Sequence, residues 1–103
     1  MNRTLERLQT WYQAQCNGDW EHQYGVKIGT LDNPGWSVTI DPIATGLETL
    51  PFEVVEDRYD DEVEWLRCWV ENAKFQCACG PRRLEDSLRV FLDWAENPSR
   101  GAV

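Results

Sequence analysis

The stretch from Glu64 to Cys79 constrains the fold more than any other part of the chain. Glu64-Trp65-Leu66-Arg67-Cys68-Trp69-Val70-Glu71 and Lys74-Phe75-Gln76-Cys77-Ala78-Cys79 both alternate in character, the period-two signature of half-buried strands. A two-residue turn at Asn72-Ala73 between them pairs Glu71 with Lys74, Val70 with Phe75 and Cys68 with Cys77. Leu66, Cys68, Val70, Phe75, Cys77 and Cys79 then share one face, predicted to be core. Trp65, Arg67, Trp69, Glu71, Lys74 and Gln76 share the other. An antiparallel hairpin of this kind buries one face and leaves the other wet.

The rest of the chain fits around that hairpin. Helical spacing predicts a first helix over residues 3–16, with Leu5, Leu8, Tyr12 and Cys16 on its buried stripe and Asn17-Gly18 as its stop. Tyr24, Val26 and Ile28 alternate with smaller or polar residues, predicting a strand over 24–31. Asp32-Asn33-Pro34-Gly35 is a turn, and Trp36, Val38 and Ile40 mark a second strand over 36–41. An odd-length loop puts both apolar sets on one face. Residues 42–51 read as a connection and 52–58 as a third strand, starting at Phe52 with Val54 and Val55. Gly80-Pro81 ends the sheet, and Pro81 is expected near the first position of a last helix. Leu84, Leu88, Phe91, Leu92 and Ala95 form that helix's stripe, Glu85 and Arg89 pair weakly across one turn, and Asn97-Pro98 ends it. The expected class is α+β: an antiparallel sheet of about five strands with an N-terminal and a C-terminal helix packed on one face. A chain of 103 residues makes one domain, 1–103, with a frayed tail at 98–103.

Charge and composition exclude several functions. The formal net charge is −8, which disfavours nucleic acid and anionic membrane and favours a basic protein partner. Met1-Asn2-Arg3-Thr4-Leu5-Glu6 lacks the apolar centre of a signal peptide, and no apolar run is long enough to span a bilayer. The expected location is the cytoplasm, where Cys16, Cys68, Cys77 and Cys79 stay reduced.

Catalytic chemistry finds little footing. His22 is the one histidine, and three of the four cysteines fall on the predicted buried face, where thiols are inert. Cys77-x-Cys79 with Cys68 opposite, and Cys16 or His22 as a fourth ligand, is the sharpest metal candidate. Structural zinc sites more often place Cys-x₂₋₄-Cys pairs on turns, and free cysteine commonly packs as a small hydrophobe. No cofactor is expected. Glu53, Glu56, Asp57, Asp60, Asp61, Glu62 and Glu64 crowd one stretch with only Arg58 among them, a solvated face or a patch for a basic partner. Trp65 and Trp69 flank Arg67 on the face that the hairpin register leaves uncovered, and that combination is typical of binding hot spots. The candidate partner-binding set is therefore Glu56, Asp57, Asp60, Asp61, Glu62, Glu64, Trp65 and Trp69. A small zinc- or ligand-binding regulatory domain is the alternative reading.

Cys16-Asn17-Gly18-Asp19-Trp20-Glu21-His22-Gln23-Tyr24-Gly25-Val26-Lys27-Ile28 and Leu31-Asp32-Asn33-Pro34-Gly35-Trp36 resemble the immunity protein 53 family. Gly80-Pro81 with Leu84, and the ending Phe91-Leu92-Asp93-Trp94-Ala95, do so as well. The resemblance spans about residues 5–96. The Gly-Asp-Trp-Glu-His and Asp-Asn-Pro-Gly-Trp blocks are its specific part. It implies a cytosolic antidote of a bacterial polymorphic toxin system, a non-enzyme that binds a cognate toxin domain and blocks it; the chain is expected to be a monomer or a homodimer. Where the family often has Gly-x-Gly-Gly-Pro, this chain has Cys77-Ala78-Cys79-Gly80-Pro81. That departure makes the two cysteines peculiar to this chain and weakens a zinc site.

Overall fold

The computed structural model describes residues 3–47 and 49–96. In chain order the elements are α1 (Thr4–Gln15), α2 (Trp20–Gln23), β1 (Val26–Leu31), β2 (Gly35–Ile40), β3 (Val55–Asp57), β4 (Leu66–Glu71), β5 (Lys74–Cys79) and α3 (Leu84–Glu96). The five strands form one antiparallel sheet in the order β1-β2-β5-β4-β3. The α+β architecture is the one expected. The helix stop at Asn97-Pro98 and the tail at 98–103 lie outside the described residues.

The central hairpin has the expected register, with Glu71 opposite Lys74, Val70 opposite Phe75 and Cys68 opposite Cys77. Asn72 and Ala73 both adopt left-handed backbone, at φ 55° and 61°. That is the turn whose twist matches a two-residue hairpin. In the first hairpin a three-residue loop joins Leu31 to Gly35, and Val26, Ile28 and Thr30 stand opposite Ile40, Val38 and Trp36. The odd loop length sets both apolar series on one face, as parity requires.

That face is the core, except that Val70 at the hairpin end, expected to be buried, is 39% exposed. Val38, Ile40, Leu66, Cys68, Phe75, Cys77 and Cys79 are buried under Leu88, Phe91 and Leu92 of α3. Leu8 of α1 joins the same cluster, so both terminal helices lie on this side, α3 against the strands and α1 mainly against α3. Arg7 reinforces the helix pair, its Nη2 lying 2.8 Å from Glu96 and 3.1 Å from Asp93.

Four local expectations are corrected. The buried stripe of α1 is Thr4 and Leu8, with Trp11 packed against the core, while Leu5 is 67% exposed and Tyr12 39%. The indole decides this. Trp11 offers the larger apolar area and meets Phe91 edge to face at 4.8 Å. α1 closes at Gln15 with an extended Cys16 rather than on a left-handed Asn17, whose Oδ1 instead accepts the Asp19 and Trp20 backbone N–H groups at the start of α2. The third strand spans Val55–Asp57 rather than 52–58. Phe52 leaves the sheet line to pack on Phe75 and Trp94, at 5.5 and 5.2 Å, and Arg58 turns left-handed at φ 51°. Pro81 sits in a turn three residues ahead of α3 rather than at its first position, and its carbonyl accepts the Trp36 indole N–H at 2.9 Å.

Indole donors also pin the 42–51 connection. Trp20 Nε1 donates to the Ile43 carbonyl at 2.8 Å, and Trp94 Nε1 to the Pro51 carbonyl at 3.1 Å. Both ends of that segment are thereby tied to helices.

Candidate functional site

The helices cover one sheet face, and the alternation of strand residues puts Arg67 and Trp69 on the other. There the Arg67 guanidinium lies over the Trp69 ring at 4.7 Å, and its Nε bonds Glu56 across the strand pair at 3.0 Å. Trp69 Nε1 donates to Glu71 at 2.9 Å. The half-buried Arg67 and Trp69 and the exposed Glu56 and Glu71 form one row held in place by mutual contacts. An exposed cation–π pair of this sort contributes about 0.5–1 kcal/mol.

The loop from Arg58 to Trp65 builds a second feature. Asp61 Oδ1 accepts the backbone N–H groups of Val63 at 2.8 Å and Glu64 at 2.7 Å. Those N–H groups, Glu64's first, hold the Asp61 carboxyl below the usual carboxylate range. The loop so formed sets Tyr59 and Trp65 edge to face at 6.3 Å. Tyr59, Asp60, Asp61, Glu62, Trp65 and Asn33 of the β1–β2 loop line a shallow hollow of about 500 Å³.

The eight sequence-predicted residues thus fall into three groups. Asp60, Asp61, Glu62 and Trp65 meet in the hollow. Glu56 and Trp69 belong to the Arg67 row. Asp57 through its carboxylate and Glu64 through its backbone carbonyl alone are tied to Arg83, whose side chain is only 12% exposed. Arg83 Nη2 lies 2.8 Å from Asp57, its Nε 2.7 Å from Asp86, and its Nη1 donates to the Glu64 carbonyl. Burial alone would lower the Arg83 pKa, and the bonds to Asp57 and Asp86 outweigh it and raise the value. Asp60, Glu62 and Glu64 have no side-chain ion pair among the described residues. Charge available to a partner is therefore concentrated at the loop tip.

Sequence reasoning missed Arg83 and Tyr59, and it weighed Asn33 as part of a second surface with Asp19–His22 but favoured its turn role. Tyr59 left a signal, as an aromatic inside an acidic run. Turn chemistry accounts for Asn33, and it is the topology that brings its loop beside residues 59–65.

Three of the four cysteines pack in the core, and Cys16 lies half-buried at the end of α1. Cys68, Cys77 and Cys79 are buried free thiols, with Cys68 Sγ 3.1 Å from Cys77 Sγ. The contact with Cys68, together with burial, pushes the Cys77 thiol up to about 12, and the contact with Cys77, with burial, likewise raises Cys79. High values suppress the thiolate that nucleophilic attack or metal ligation needs. Among the described residues no group of three or more His, Cys, Asp or Glu is placed to hold a metal ion. His22 is exposed on α2 and lines a separate hollow of about 550 Å³ with Tyr12, Tyr24, Lys27, Asp41 and Lys74.

No described helix is long and apolar enough to cross a membrane. No curated protein and no solved structure matches the chain. The sequence model of immunity protein 53 does match it, over residues 5–96 of 103, and the chain belongs to the immunity protein 53 family.

Proposed function

We propose that this chain, working as one cytoplasmic domain, binds a cognate toxin domain of a bacterial polymorphic toxin system and neutralises it without catalysis. Family membership supports the class of partner. The observation that carries the mechanism is the hollow of Tyr59, Asp60, Asp61, Glu62 and Trp65, an acidic rim around two aromatic rings. Charge at such a rim speeds encounter with a basic surface, and the rings supply area that excludes water once the surfaces meet. Asp61 fixes the loop before any partner arrives, which lowers the ordering entropy of binding.

The test is direct. The purified chain is titrated into the toxin domain encoded beside it, and complex formation and residual toxin activity are followed together. The expected result is a one-to-one complex with activity lost at equivalence. Undiminished activity in the presence of excess chain would refute the reading.

A further inference from the structure

The two edges of the sheet are unlike. β3 is three residues long, bears Glu56 and Asp57, and has both acids engaged by arginines. Short, charged edges resist pairing with another chain. β1 has six residues, pairs without a bulge from Val26 to Leu31, and carries a single charge, Lys27. Lys27, Ile28, Gly29 and Thr30 are exposed, Ile28 at 42%.

The register identifies the unpaired groups. The Asp41 N–H donates to the Gly25 carbonyl, which makes Gly25 and Asp41 a hydrogen-bonded pair. Antiparallel pairs alternate between bonded and non-bonded. Counting from Gly25, the residues Lys27, Gly29 and Leu31 bond β2, while Val26, Ile28 and Thr30 aim their N–H and C=O groups outward. Among the described residues no turn, loop or cap backbone bond reaches these outward groups.

We infer that the outer edge of β1 is a strand-addition site. An extended segment of the toxin domain pairs along Val26–Leu31, with an apolar residue beside Ile28 and an acidic residue beside Lys27. The inference rests on the neutralising function proposed above. Lys27 and Arg82 are the two cations without an ion pair among the described residues, so Lys27 selects a strand carrying an acid. The edge is continuous with the acidic hollow, because β1 runs through Leu31 into the loop that presents Asn33 to it. A second copy of this chain fits less well. Each copy has formal charge −8, and faces-matched pairing of two β1 strands about Ile28 sets Lys27 opposite Gly29 with no acid in reach.

Amide hydrogen exchange, measured on the free chain and on its complex with the toxin domain encoded beside it, tests the site. In the free chain Lys27, Gly29 and Leu31 exchange slowly and Val26, Ile28 and Thr30 fast. In the complex the second set slows at least about tenfold, the change a paired ladder group gives. Thr30→Pro removes one outward donor, a substitution that edge strands tolerate, and weakens binding about three- to tenfold. Ile28→Lys serves as a second variant should the proline disturb folding, and circular dichroism checks both. Binding of the wild-type chain with Val26, Ile28 and Thr30 still fast would overturn the edge site and leave the neutralising function standing. Absence of any complex would remove both. Slowing that grows with concentration in the free chain would assign the edge to a second copy and refute the partner named here.

Discussion

Arg83 Nη2 stands 2.8 Å from the Asp57 carboxylate, joining the residue before α3 to the last residue of β3. With Asp86 and the Glu64 carbonyl on the same guanidinium, one side chain locks the end strand, the acidic loop and the last helix together. Replacing it leaves the half-buried Glu64 carbonyl without its donor and Asp57 without its cation, while Asp86 keeps Arg89 at 3.0 Å. Arg83→Met is expected to destabilise the fold by about 1–3 kcal/mol in urea unfolding. Asp57→Asn acts on a side chain that is 54% exposed and changes stability by less than about 1 kcal/mol. Equal effects of the two substitutions would contradict a latch centred on Arg83.

Gly80 is required by space. A Cβ there would fall well inside van der Waals contact with the Val63 carbonyl, because the Gly80 N–H closes on the Trp65 carbonyl at 2.8 Å. Both contacts are backbone, so no side-chain rotation relieves them. Gly80→Ala is expected to cost about 1–3 kcal/mol, the range for overpacking. At Gly25 a Cβ meets nothing within 4 Å, and Gly25→Ala is expected to fold with stability close to the parent. Thermal melts of the pair check the contrast.

Ala73 is the one hairpin-turn residue that works against its own conformation. Its φ of 61° places a Cβ where the left-handed region crowds it. Ala73→Gly removes that crowding in the folded chain at some entropic cost in the unfolded one. The net expectation is a gain of about 0.5–1 kcal/mol, read as a raised urea midpoint with unchanged slope.

These positions mark what the sequence discloses and what it hides. The Cys68–Cys77 register was legible because period-two alternation on both sides of Asn72-Ala73 admits one pairing. The sheet edge at β3 was not, since Phe52 and Val54 look like strand residues until Phe75 and Trp94 offer Phe52 a better contact. The face of α1 depended on whether Leu5 and Tyr12 or Trp11 won the core, and helical spacing alone allows either. At the candidate site the acidic run and Trp65 were readable as composition. Its division into carboxylates held by Arg83 and Arg67 and carboxylates left open was not, because Arg83 lies 26 residues from Asp57 in the chain.

Asp61 makes the order of the acidic loop depend on pH. Its carboxyl is held below the usual range by the Glu64 and Val63 N–H groups, which favour the charged form. A lowered folded value means that the carboxylate's contribution is complete above the ordinary carboxylate range and disappears as pH falls through the lowered value. The parent should therefore exceed Asp61→Ala in stability at about pH 7, and that difference should shrink as pH falls below the ordinary carboxylate range and through the lowered folded value. A gap of constant size across the titration would show that the N–H contacts do not depend on the charge.

The same loop separates charge from structure in binding. Asp60 and Glu62 take part in no ion pair among the described residues, whereas Asp61 shapes the turn. Asp60→Asn with Glu62→Gln should leave stability unchanged, lower the association rate for the toxin domain several-fold and flatten its salt dependence, because screening acts on exposed charge over about 10 Å at 0.1 M salt. Trp65→Ala acts later in the encounter. Its indole meets Tyr59 in the hollow, so its loss should raise the dissociation rate and leave the salt dependence of association in place. Stopped-flow binding at several ionic strengths reads both rates. If the doubly neutralised loop associates as fast as the parent at low salt, the acidic tip is not the surface that steers the encounter.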